Sequence, residues 1–129
     1  MIIGIDPGKK TGIAISENGK LKELKTTNFF GCLDIIKTTD CKYIVEKPNS
    51  KYVFAGHRAL DVGSVLRETD LIIEYLKMNN RDYETKPPKH KPKKGESGKI
   101  NHEDFVKLTG WAGKRTNQHV RDAAMLLIN

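Results

Sequence analysis

The stretch Ile2-Ile3-Gly4-Ile5-Asp6-Pro7-Gly8-Lys9-Lys10-Thr11-Gly12-Ile13-Ala14-Ile15-Ser16-Glu17-Asn18-Gly19 decides the fold. Ile2, Ile3 and Ile5 make a short apolar run that stops at Asp6-Pro7-Gly8, a turn signal; Thr11 to Ser16 then alternates, with Ile13 and Ile15 on one face. Asn18-Gly19 suits the positive-φ positions of a two-residue hairpin. Strands are therefore expected at about 2–7, 11–17 and 20–26. The third fits least well, because Leu21 and Leu24 fall on opposite faces of an ideal strand.

Further along, Asn28 can cap a helix whose Phe29, Cys32, Leu33 and Ile36 recur at helical spacing. Lys42 to Glu46 reads as a short strand carrying Tyr43, Ile44 and Val45 and stopped by Pro48. Val62, Val65, Leu66, Thr69, Ile72, Ile73 and Leu76 trace one stripe at helical period over about four turns. Tyr83 and Thr85 indicate a last strand before Pro87-Pro88. Residues 86–99 hold six Lys and three Pro, with Gly95 and Gly98, so they are expected to bury no face and to form a basic flexible loop. Asn101 with Asp104 resembles a capping signature for a short helix ended by Gly110. Thr116 or Asn117 caps a final helix that buries Val120, Ala123, Ala124 and Leu127. Hairpin-linked strands followed by alternating helices and strands predict one α/β domain over residues 1–129, a mixed sheet with helices packed on it.

A chain of 129 residues buries roughly two thirds of the surface its unfolded form exposes, enough for a true core. Hydrophobic residues at 37% and charged residues at 30% exclude disordered and collagen-like classes. No apolar run reaches about 18 residues and no basic start leads into an apolar signal segment, so a cytoplasmic protein is expected. Cys32 and Cys41 lack C-x-x-C spacing and a His cluster; they read as core fillers, not as a zinc site or a disulfide framework. The formal charge is +7, and its distribution matters more than its size. Ten Lys or Arg between Lys86 and Arg121 face only Glu96, Glu103 and Asp104, whereas the remaining thirteen basic residues meet thirteen acidic ones. The whole excess sits in one stretch, as a polyanion-binding surface requires.

Three acids stand where acids are costly. Asp6 ends an apolar strand, where a carboxylate needs a partner such as a metal; the plain alternative is that it only starts the Asp-Pro-Gly turn. Glu46 repeats the pattern at the end of a second core-like strand, and in a parallel pair the two ends would lie side by side; an exposed strand-end glutamate is the alternative. His119 and Asp122 share a face of the last helix beside its buried stripe, although an Asp in a first turn also answers the helix dipole. Together the carboxylates offer the hard oxygens that Mg²⁺ prefers, and paired ions stabilise both the attacking and the leaving oxygen of a phosphodiester displacement.

Ile2 to Ile15, Ile44-Val45-Glu46-Lys47-Pro48 and His119-Val120-Arg121-Asp122-Ala123-Ala124 resemble, in order and over nearly the whole chain, the three acidic motifs of RuvC-type Holliday-junction resolvases. The resemblance implies a ribonuclease H-like fold, a mixed five-stranded sheet with helices on both faces. It implies Asp6, Glu46 and Asp122 as ligands of Mg²⁺ or Mn²⁺, two ions per site, and His119 as a ligand or a proton-transfer group. It further implies a homodimer, with residues 60–76 as the dimer helix, that cuts two like strands of a four-way junction and leaves 5′-phosphate and 3′-hydroxyl ends. Tyr52 and Phe54 follow the second motif as candidates for the family's aromatic wedge; Phe54 packing on the core is the alternative.

Lys89, Lys91, Lys93, Lys94 and Lys99 would follow phosphates, with Lys99 nearest the metals and Lys114, Arg115 and Arg121 as outer contacts; a merely solvated loop is the alternative. The chain departs from the family in being shorter and in ending just past the last motif, which bears on sequence preference and on the fit to four arms. Rival readings are a RuvC-like nuclease acting on structured RNA and a non-catalytic nucleic-acid-binding module on the same scaffold. An actin-like nucleotide-hydrolysing lobe would need a second lobe. Gly95-Glu96-Ser97-Gly98-Lys99-Ile100 is too short between glycines for a P-loop and lacks its Ser or Thr.

Overall fold

Asn18 and Gly19 take φ angles of 53° and 78°, the two consecutive positive values of a tight hairpin turn. That turn joins β2 (Thr11–Glu17) to β3 (Lys20–Thr27), and the Asp-Pro-Gly turn joins β1 (Ile2–Asp6) to β2. In this computed structural model the described residues are 1–47, 59–88 and 100–128, with the side chains of 59–64 excepted. The remaining elements are α1 (Phe29–Thr38), β4 (Lys42–Glu46), α2 (Ala59–Met78), β5 (Tyr83–Lys86), α3 (His102–Thr109) and α4 (Gln118–Met125).

The sheet runs β3-β2-β1-β4-β5. The first three strands are antiparallel neighbours, and β1, β4 and β5 are parallel, so the sheet is mixed as expected. Side-chain alternation divides it into two faces. On one, Ile3, Ile5, Ile13, Tyr43 and Val45 pack with Cys32 and Ile36 of α1 and Ile72 and Leu76 of α2. On the other, Ala14 meets Ala123 and Ala124 of α4 and Phe105 of α3. Among the described residues no helix is long and apolar enough to cross a membrane.

Several expectations need correction. Pro7 has no N–H to offer the ladder, and β1 ends at Asp6, one residue early. In β3, the register shifts between Ile15, opposite Glu23, and Ser16, opposite Leu21. The extra residue, Lys22, is a bulge that turns Leu21 and Leu24 to the same face, where both pack beside α4 and α3. Lys86 begins the stretch expected to form a flexible loop, yet it is the last residue of β5: it pairs with Glu46, and its carbonyl accepts from the Lys47 N–H at 2.9 Å. Asn117, not Thr116, caps α4 by accepting from the Val120 N–H at 3.0 Å, while Thr116 is buried. Leu127 lies past the end of α4 and is half-buried; Leu126 is the buried residue there.

Candidate functional site

The site begins with two glycines. A side chain on Gly12 would run into the His119 carbonyl, and one on Gly4 would come to 2.5 Å from the Ala123 carbonyl oxygen. The backbone of α4 therefore rests directly on the sheet, over β2 at Gly12 and over β1 at Gly4. Gly12 is the cross-strand partner of Asp6, so the first turn of α4 sits beside the end of β1. Asp6, two residues past Gly4, points to the same α4 face by alternation.

Glu46 joins it through the parallel register, in which Gly4 pairs with Ile44 and Ile5 with Val45. One step further along that register Glu46 lies beside Asp6, on the same face, with the strands about 4.8 Å apart. Both residues are half-buried. Asp122 is half-buried on α4, between the two points where the helix meets the glycines. One helical turn later on the same flank, the Leu126 carbonyl accepts from Lys86 Nζ at 3.0 Å, and Lys86 is the register partner of Glu46. That contact ties the C-terminal end of α4 to the β4–β5 side of the sheet.

By strand register and alternation Asp6 and Glu46 fall on one face and at one end of the sheet, and α4, which carries Asp122, packs on that face. Among the described residues, however, no three His, Cys, Asp or Glu side chains are gathered closely enough to hold a metal ion as they stand. The Asp122 Oδ1 instead accepts from Gln118 Nε2 at 2.6 Å. The donor set fits a hard divalent cation, since it consists of carboxylates at an open rim, and Mg²⁺ keeps several waters and few protein ligands. Asp6, Glu46 and Asp122 are the residues that would hold it. His119 is exposed at the start of α4.

Of the expected nucleic-acid contacts, Lys89, Lys91, Lys93, Lys94 and Lys99 lie outside the described residues, as do the wedge candidates Tyr52 and Phe54. Lys114 is exposed, and its carbonyl accepts from Trp111 Nε1 at 2.9 Å. Arg115 is exposed and pairs with Glu103 at 3.3 Å. The Glu103 carboxyl is held below its ordinary range by its own backbone N–H at the start of α3, and by Arg115. Arg121 is half-buried and directs four of its five N–H groups inward: to the Ile100 carbonyl, to the Thr116 carbonyl and hydroxyl, and to the Gln118 side-chain oxygen.

Nothing in the sequence signals that Gln118 and His102 belong beside the site, and Thr116 is marked there only as a possible cap. Only the four-residue spacing from Gln118 to Asp122 was visible in advance, and it is a common helix pairing. Lys9 and Lys10, exposed in the β1–β2 turn just beyond Asp6, add positive charge at the same end of the sheet.

No known protein-family profile and no curated protein matches the sequence. A solved structure does match: RuvC of T. thermophilus in complex with a Holliday junction substrate, at a TM-score of 0.61 and 15% identity. The match covers 98% of this chain and 88% of that one. The chain therefore has the RuvC-like, ribonuclease H-like α/β fold, a mixed five-stranded sheet with helices on both faces.

Proposed function

We propose that this protein is a metal-dependent, structure-specific endonuclease that cuts branched DNA, four-way junctions above all, by phosphodiester hydrolysis. The observation that carries the reading is the parallel β1–β4 register, with Ile5 opposite Val45; continued by one residue it would bring Asp6 beside Glu46, on the face where α4 packs. The likeness to a junction-bound RuvC supports it at the level of the fold.

In this reading the carboxylates of two strand ends and one packed helix would approach one phosphate from different directions. Bound Mg²⁺ or Mn²⁺, one or two ions, would supply Lewis-acid stabilisation of the phosphoryl oxygens and a water nucleophile at neutral pH. No side-chain nucleophile is then required. His119, exposed on the first turn of α4, would serve as a further ligand or pass a proton near the leaving oxygen. The net charge of +7, concentrated between Lys86 and Arg121, attracts the phosphate backbone without reading its sequence.

Paired cuts call for two copies of the site. The outward face of α2 exposes Leu71 and Met78, in line with exposed Arg67 and Glu74. Antiparallel packing of two such helices about Leu71 sets Arg67 against Glu74 of the second copy, which makes the surface self-complementary. A homodimer through α2 would bury this face.

The test is a cleavage gel comparing a four-way junction, a fork, a linear duplex and an RNA hairpin, each with and without Mg²⁺. Mg²⁺-dependent cutting of the junction ahead of the other substrates is expected. Preferential cutting of the hairpin would assign the site to structured RNA. Junction binding without any cutting would leave only a binding module.

A further inference from the structure

We infer that Gln118 and Arg121 are positioning residues for Asp122, a relay that sets its carboxylate for the cation. The inference rests on the metal site proposed above and adds to it the residues that orient one ligand. Gln118 Nε2 donates to Asp122 Oδ1 at 2.6 Å, and Arg121 donates to Gln118 Oε1 at 3.2 Å. A guanidinium can only donate. The Gln118 amide must therefore turn its oxygen to Arg121, and its NH₂ is left facing Asp122. The polarity of the chain follows from Arg121 alone.

Arg121 is itself held. Its Nε donates to the Ile100 carbonyl at 2.9 Å, and one terminal nitrogen donates to the Thr116 carbonyl at 2.8 Å and to the Thr116 hydroxyl at 2.9 Å. Thr116 is only 9% exposed, and His102 Nδ1 accepts from its N–H at 3.1 Å and lies 2.8 Å from its hydroxyl. The segment before α3 and the loop before α4 thus meet at one guanidinium, and the first residue of α3 braces Thr116 behind it. A Gln–Asp pair four residues apart is an ordinary helix contact on its own. Here the donor is fixed from behind, so the carboxylate plane is set before any ligand arrives, which is the arrangement by which outer residues tune metal ligands.

The experiment uses Gln118→Met, which keeps length and helix propensity but has no amide, beside Asp122→Asn and the wild-type chain. Mn²⁺ affinity is measured by electron paramagnetic resonance of the free ion, without DNA. The metal concentration giving half-maximal junction cleavage is measured separately, and thermal melting monitors folding. Gln118→Met is expected to weaken Mn²⁺ binding and raise the half-saturating concentration by about tenfold or more. Its melting temperature should stay near wild type, and saturating metal should restore the cleavage rate. Gln118→Glu, which keeps an acceptor for Arg121 but turns a second negative charge on Asp122, should not restore the cleavage behaviour of the wild-type amide at limiting metal, whereas Gln118→Asn should recover part of it. If Asp122→Asn abolishes metal binding while Gln118→Met changes neither affinity nor half-saturation, the relay is overturned and the site stands. If Asp122→Asn leaves Mn²⁺ binding intact, the site reading fails and the relay falls with it.

Discussion

Burial pushes the Cys32 thiol from its ordinary value of 9.0 up to about 12, and it moves the Tyr43 hydroxyl upward as well. The Tyr43 hydroxyl donates to the Thr39 carbonyl at 2.6 Å and to the Ile35 carbonyl at 3.3 Å, so the fold needs its proton. Both groups hold protons more tightly when folded. Their contribution to stability is complete below the unfolded values and is lost as pH rises through the folded ones. For Cys32 that window runs from 9.0 to about 12. Denaturant titrations from about pH 8 to about pH 11 should show stability falling in the wild type and falling less steeply in Cys32→Ala. Parallel curves would show that this thiol does not contribute. At this scale the sequence drew attention to Asp6, Glu46 and Asp122 as candidates, because an acid at the end of an apolar strand or beside a buried stripe breaks a hydrophobic pattern, and the proposed site rests on them. It did not expose the Gln118 and Arg121 relay, whose members look like ordinary polar residues on a helix until Ile100 and Thr116 are brought next to them.

Between elements, the decisive contact is α4 on the sheet. Gly12→Ala would push a methyl into the His119 carbonyl, and neither backbone has room to yield. The expected cost is about 1–3 kcal/mol, read by urea denaturation. Gly8→Ala is the control, since its added methyl meets nothing nearer than the Lys10 carbonyl at 3.4 Å, an ordinary contact. Equal stability of the two variants would mean that α4 does not sit as closely on β2 as described. Most elements were legible because their signals are local: the Asn18-Gly19 turn, the Asn28 and Asn101 caps, and the Gly110 stop with φ of 73°. The β3 bulge was not, because Leu21 and Leu24 share a face only once Ser16 and Ile15 set the register opposite them. Lys86 was likewise read as loop from its basic, proline-rich surroundings, whereas pairing with β4 decides its conformation. Arg81 shows the same kind of distant tie. It donates to the Ile36 and Lys37 carbonyls and pairs with Asp40, joining the end of α1 to the α2–β5 turn across more than forty residues.

At the scale of the whole molecule, the order of strands and helices was enough to predict a mixed sheet, and the match to a RuvC structure at 15% identity shows that very different sequences build this fold. The topology underlies the proposed site: β1 and β4 run parallel, each ending in an acid, and α4, which carries Asp122, lies on the sheet at Gly4 and Gly12. The central claim is that these three carboxylates act together on one metal-dependent cut. The direct measurement is junction cleavage in Mg²⁺ by Asp6→Asn, Glu46→Gln and Asp122→Asn, with junction binding followed by gel shift on the same preparations. Each substitution is predicted to stop cutting while binding survives; wild-type cutting by all three variants would contradict the account.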